Sequence, residues 1–225
     1  MGEAIGQMLP LAVAIAVNPV PVIVVVLLLG SVRARINGPA FAAGWFAGIL
    51  VLGAIVLAIA DAADASDDGR PSTWVSVLKL ALGAALVLLA VQQWRGRPGA
   101  DDEVEVPAWM GAIDAFTPAK AAGAGVALSA VNPKNLLFVV GAAATEAQAD
   151  VSVKEQALVW AVFAVVASTG VIVPVVVYFA LGDRAQAVLD PVKVWLIRNK
   201  AAVVAILCLV IGAGLIGGAI EGFTS

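Results

Sequence analysis

Ala16-Val17-Asn18-Pro19-Val20-Pro21 and Ala130-Val131-Asn132-Pro133-Lys134-Asn135 are the two stretches whose reading decides the fold. They share the tetrapeptide Ala-Val-Asn-Pro, set 114 residues apart in a chain of 225, and each lies inside a long apolar run. Proline removes a backbone donor and clashes with the preceding turn, so it breaks or kinks a helix. Asparagine adds a full amide that has no apolar role. In hydrocarbon, such a pair is tolerated only where the freed polar groups meet protein or a wet cavity. Matching interrupted helices in the two halves of a chain point to the binding site of a secondary transporter.

Composition places those breaks in a membrane. The chain is 62% hydrophobic and 13% charged, more apolar than a soluble domain of this length needs, and this predicts an all-α integral membrane protein with several spans. The net charge of −3 and the scattered basic residues carry no nucleic-acid footprint. With no histidine, imidazole-based zinc, haem and acid–base chemistry are excluded. The single cysteine, Cys208, excludes an intramolecular disulfide and a dithiol relay; its apolar setting predicts a buried packing thiol. Met1-Gly2-Glu3 offers no basic n-region and the next apolar run is too long for an h-region, so no cleavable signal peptide is expected. No cofactor motif is present.

Six runs reach the length of about 20 residues that a crossing requires. They lie near Ile5–Leu29, Pro39–Ala60, Trp74–Trp94, Pro118–Ala144, Ala157–Leu181 and Ile197–Ile220. Loops on one side hold nine basic residues: Arg33, Arg35, Arg95, Arg97, Lys120, Arg184, Lys193, Arg198 and Lys200. The opposite side holds three, Arg70, Lys79 and Lys154, and Lys134 lies within a span. The positive-inside rule then places both termini outside the cell and the long central connection in the cytoplasm. Spans one and four, which carry the Asn-Pro copies, therefore run in opposite directions with the breaks near mid-membrane. This is the plan of two inverted three-helix repeats. The expected division is a first repeat at 1–95, a cytoplasmic linker at 96–117 and a second repeat at 118–225. Within the linker, Trp109, Met110, Ile113 and Phe116 fall at helical spacing. Pro107–Phe116 reads equally as an interfacial amphipathic helix or as a connector packed under the bundle. Thr117-Pro118 is a helix start, with Thr as cap and Pro at the first helical position.

The polar residues inside the runs are few: Asn18, Ser129, Asn132, Lys134, Asn135, Ser168, Thr169 and Tyr178. Lys134 is the one charge deep in a span, at a cost of about 2.5 to 3.5 kcal/mol for a central lysine. Beside a helix break it reads as the receptor of an anionic substrate, or as a lysine that bonds carbonyls freed by Pro133. Asn18, Pro19, Pro21, Asn132, Pro133, Lys134 and Asn135 form the expected substrate site. Ser129, Ser168, Thr169 and Tyr178 are secondary candidates, and Pro174 reads as a hinge. The runs carry no facing carboxylates to hold a divalent metal. Ser129 and Lys134 are five apart, on different helix faces, and no oxyanion-hole motif accompanies them, so no enzyme is expected. Gly44 with Gly48 and Gly214 with Gly218 are small-xxx-small pairs, suited to packing within the chain or to a homodimer.

Several of these elements recur together in one known family. The Asn18-Pro19-Val20-Pro21 break, the Arg33-Ala34-Arg35 turn and the Phe41–Gly48 stretch come first. The run Ile113-Asp114, Thr117-Pro118-Ala119-Lys120, Ser129-Ala130-Val131-Asn132-Pro133-Lys134-Asn135-Leu136 follows. Together they resemble the sulfolipid-addressing and glycopeptidolipid-addressing proteins of the lysine-exporter superfamily, over essentially the whole chain. That resemblance implies a multi-pass plasma-membrane protein with the three-plus-three inverted fold and a role in moving cell-envelope glycolipids outward. It also implies membrane lipids and a lipid-biosynthesis or export protein as partners. The chain departs from basic amino-acid exporters in lacking a deep carboxylate, which favours an amphiphile or an anion as cargo. The expected function is export of an amphipathic envelope lipid or related anionic solute, as transporter or transport accessory. Two alternatives stand beside it: an exporter of small metabolites or amino acids, and a non-transporting scaffold of a lipid-export complex.

Overall fold

The protein is described by a computed structural model covering residues 2–64, 73–97, 108–146 and 152–224. Every regular element among these residues is helical: α1 (Gly2–Ala16), α2 (Pro19–Leu29), α3 (Ala34–Asp64), α4 (Thr73–Arg95), α5 (Pro118–Val126), α6 (Pro133–Glu146), α7 (Val153–Leu181) and α8 (Ala185–Thr224). A 3₁₀ segment, Ala108–Ala115, precedes α5, and a π turn, Ala127–Val131, joins α5 to α6.

The two Asn-Pro copies are the two helix breaks. The axis bends by 50° between α1 and α2, and by 58° between the α5–π segment and α6. Ala34–Ile59, Ser76–Arg95 and Lys154–Phe223 are long and apolar enough to cross a bilayer, and five crossings result if each bent pair counts as one. The last stretch has 70 residues. As one straight helix it would measure about 105 Å against a hydrocarbon core of about 30 Å. It turns instead at Gly182, whose φ of 54° is open to glycine, so α7 and α8 are separate helices.

One boundary differs from the sequence expectation. The interval between the expected spans Ala157–Leu181 and Ile197–Ile220 reads as a connector, yet the structure is helical from Ala185 onward, through Pro191. Ala185, Leu189 and Leu196 are buried along one face, and Lys193 pairs with Asp190 one turn away, so packing outweighs the proline. In the linker, Ile113 is buried and the Phe116 carbonyl accepts from Asn37 Nδ2 at 2.9 Å, so that end of the 3₁₀ segment is docked on the bundle. The side chains of Trp109 and Met110 lie outside the described residues.

The helices pack in related pairs. α1 lies on α7 as α5 lies on α3; α2 lies on α7 as α6 lies on α3; α2 meets α8 as α6 meets α4. The pairs α4–α8 and α3–α7 close the bundle. Glycines set the closest approaches. A Cβ at Gly44 would overlap the Ala122 carbonyl, one at Gly48 the Ser129 hydroxyl, and one at Gly125 the Phe41 carbonyl. The Gly44/Gly48 pair thus seats α5 against α3. Gly214 faces open space, and the α4–α8 crossing uses Gly83 and Gly212 instead, each within 3 Å of the other's carbonyl were a Cβ added.

Candidate functional site

The first break accounts for every backbone donor at the start of α2. A helix leaves its first four N–H groups without intrahelical acceptors, and each one orphaned in hydrocarbon costs several kcal/mol. Here those positions are Asn18, Pro19, Val20 and Pro21. Asn18 N donates to the Ile15 carbonyl at 3.2 Å. Pro19 and Pro21 have no N–H. Val20 N donates to Asn18 Oδ1 at 3.3 Å. The Asn-Pro-x-Pro spelling is thus a helix start that needs no water.

The second break repeats the backbone but not the sequence that follows it. Asn18 has φ −60° and ψ 120°; Asn132 has φ −66° and ψ 119°, and each precedes a proline at the first helical position. The first turn of α6 carries one proline where α2 carries two, so the N–H groups of Lys134 and Asn135 remain. Asn135 is fully buried, and its Nδ2 donates back across the π turn to the Leu128 carbonyl at 2.9 Å.

The breaks meet through Asn18 and Asn135, not through the two repeat-equivalent asparagines. Asn18 is 4% exposed, and its Nδ2 donates to Asn135 Oδ1 at 3.2 Å. Asn132 is half-buried, and Pro19 and Pro21 are buried in the first turn of α2. The side chains of Pro133 and Lys134 lie outside the described residues, so the expected headgroup receptor is placed only by its backbone, in the first turn of α6. Beside Asn18 is a small void lined by Ala14, Phe138, Val204, Leu207 and the buried Cys208, with room for about one water.

The secondary candidates separate. Ser129 is buried, donates to the Val126 carbonyl at 3.1 Å and abuts Gly48, so it belongs to the α3–α5 crossing. α7 passes the first break at Gly170, where a Cβ would overlap the Ala16 carbonyl. Ser168 is fully buried near this level, and its hydroxyl has no hydrogen-bond partner among the described residues. Thr169 is exposed and donates to the Val166 carbonyl at 2.7 Å. Tyr178 is eight residues beyond Gly170, about 12 Å along the helix, edge-on to Phe179. It is not part of the break region.

Two buried charges were missed in the sequence. Lys79, counted there with a loop, is 5% exposed within α4, and Glu146 is 0% exposed at the end of α6. Glu146 lies two residues beyond the fourth apolar run, so it does not bear on the expectation that the runs carry no deep carboxylate. Lys79 could have been flagged, because it stands five residues inside an apolar run. Glu146 follows the last apolar residue by two positions, and nothing local marks it as buried. Among the described residues, no group of three or more potential ligands could hold a metal.

A family model described as Sap, sulfolipid-1-addressing protein, matches residues 8–221. No curated protein and no solved structure matches the chain.

Proposed function

The chain belongs to the sulfolipid-1-addressing protein family, and from that premise we propose that it exports an amphipathic cell-envelope glycolipid or related anionic solute across the plasma membrane. It works as the transporter or as the membrane component of a lipid-export machine, and it catalyses no reaction. The observation that carries this reading is the pair of helix breaks with one backbone geometry, joined by the Asn18–Asn135 hydrogen bond.

In this reading each bent pair is one crossing, and α3, α4, α7 and α8 are four more. The six crossings form two inverted halves, with both termini outside. Exchanging the halves maps α1–α7 onto α5–α3, α2–α7 onto α6–α3 and α2–α8 onto α6–α4, which supports the internal symmetry, while α1–α6 and α2–α3 have no such counterpart among the described residues. With Lys79 buried in α4, the basic residues divide nine to two, which supports the orientation. Membership of the wider lysine-exporter superfamily fits the same plan.

The asymmetry of the breaks assigns their roles. At the first, prolines and the Asn18 cap leave no donor for a ligand, so it serves as a rigid pivot. At the second, the N–H groups of Lys134 and Asn135 stand at a helix N-terminus, where the dipole favours an anion, and Lys134 adds a full charge. Asn132, Pro133, Lys134 and Asn135 thus receive the headgroup, with Asn18, Pro19 and Pro21 opposite. A one-water void beside Asn18 means that this state is closed, and cargo enters only when the bent pairs part.

The deciding experiment compares outer-surface lipids of the native host with and without the protein, alongside proteoliposomes loaded with labelled envelope lipid. Loss of one anionic glycolipid from the surface, and its movement by the purified protein, is the expected result. Export of a soluble amino acid with unchanged surface lipids would replace this reading with a small-metabolite exporter. Strict dependence of lipid movement on another protein would make the chain a scaffold.

A further inference from the structure

The mid-membrane site contains no carboxylate, and the chain carries no nucleotide-binding motif, so the transport reading leaves the driving force unassigned. The buried Glu146 lies elsewhere, at the far end of α6. An anion there faces two penalties. It is taken out of water, and it sits at the negative end of the helix dipole. Such a group persists either by pairing with a cation or by holding a proton.

Helix register places a cation at the same level. A Cβ at Gly141 would lie 3.2 Å from Leu215, and one at Gly218 would lie 4.0 Å from Lys79 Nζ. The void next to Asn18 puts Phe138 beside Val204 to Cys208, so α6 and α8 advance in the same direction from the break. Glu146 is five residues past Gly141, about 7.5 Å, and Gly218 is three past Leu215, about 4.5 Å. Glu146 and Lys79 therefore sit within about one helical turn, roughly 5 Å, of one another along the bundle. They stand on α6 and α4, which are in contact, and both are buried.

We propose that Glu146 is a reversible proton-binding site, with Lys79 as the counter-charge for its ionised form. The proton comes from water at the end of the bundle where α4 begins and α8 finishes. The same end brings Ser76, which is buried on α4, and the exposed Glu221 on α8, whose charge also acts on Lys79. It also brings Lys154 and Glu155 on the first turn of α7, where Glu155 is held by Ser152. From α1 and α3 come Glu3, Asp61 and Asp64, whose side chains lie outside the described residues. Glu146 is distinguished from Glu155 and Glu221 by its complete burial. In the exporter, proton uptake there supplies the coupling that the amide-lined centre cannot, whereas proton binding itself does not depend on the transport reading.

The test is infrared difference spectroscopy of the purified full chain in nanodiscs, between acidic and neutral pH. The expected spectrum contains a protonated-carboxyl band at the frequency of a water-excluded group. Glu146→Gln removes that band and leaves the solvent-exposed carboxyl signals in place. Glu146→Asp keeps a shifted band, and Lys79→Gln moves its midpoint upward by about one pH unit, because losing the cation disfavours the anion. A wild-type spectrum with no water-excluded carboxyl band overturns the proposal whether or not any variant folds. So does a band that persists unchanged in Glu146→Gln; Glu146 is then a fixed structural ion or not the titrating group.

Discussion

Asn18 donates its side-chain amide to Asn135 at 3.2 Å, across 117 residues of sequence, and this bond joins the two broken helices in the middle of the bundle. Each amide also closes its own break: Asn18 through Val20 N, Asn135 through the Leu128 carbonyl. The link therefore fixes both bends and their relative position at once. Asn18→Ala is expected to cost more than a surface substitution, about 1–3 kcal/mol, because the Val20 donor and the Asn135 acceptor are both stranded. A double-mutant cycle with Asn135→Ala, read by thermal unfolding in detergent, should give a coupling of about 0.5–3 kcal/mol. Strict additivity would show that the bond contributes nothing.

The prolines of α2 make an opposite kind of prediction. Proline usually destabilises a helix, and alanine in its place usually helps. At position 21 the replacement adds an N–H with no intrahelical acceptor in a buried setting. Pro21→Ala is expected to lower stability by about 1–3 kcal/mol, the cost of a buried unsatisfied donor. An unchanged or raised melting temperature would mean that water or a rearranged turn satisfies the added N–H.

The glycines divide by what they face. Gly48→Leu drives a side chain into Ser129 and Val126 and should sharply reduce the yield of monodisperse protein. Gly214→Leu meets open space and should leave the fold intact. Size-exclusion with light scattering on the Gly214→Leu protein adds an oligomer test. A wild-type dimer that becomes a monomer would assign the Gly214–Gly218 face to a second copy of the chain.

The sequence carried the two breaks plainly, because proline and asparagine act on their own backbone and their effect needs no neighbour. It did not carry the partner of Asn18. Asn132 is the repeat equivalent of Asn18, whereas the contact is made one helical turn later, by Asn135. That choice depends on how α6 is rotated against α1 and α2. Glu146 escaped for the same reason, since burial at a helix end is decided by other helices, whereas Lys79, five residues inside an apolar run, was legible. The helical start of α8 was obscured by Pro191 and mixed polarity, which three buried apolar residues outweigh.

Separate roles for Asn132 and Lys134 are tested by activity at constant abundance. Lys134→Ala and Asn132→Ala are expected to abolish export while membrane levels stay near normal. Lys134→Arg should retain part of the activity if charge is what the headgroup meets, since arginine keeps the charge with a different geometry. Abundance that falls in step with activity would return both residues to holding the break together.

The closed centre gives the last prediction. If cargo enters only when the bent pairs part, tying Asn18 to Asn135 must stop transport; because Asn135 belongs to the headgroup receptor, the same variant before and after cleavage of the tether is the control. The two positions are replaced by cysteine in a Cys208→Ser background, so that no other thiol is present. They are then joined by a short, cleavable bifunctional thiol reagent. The expected outcome is loss, on cross-linking, of the lipid movement that the uncross-linked double variant retains in proteoliposomes, and its return on cleavage. Full activity in the tethered state would show that the two breaks keep their contact throughout the cycle. The Asn18–Asn135 bond would then be a permanent strut, and the path for the lipid would have to run along the outside of the bundle.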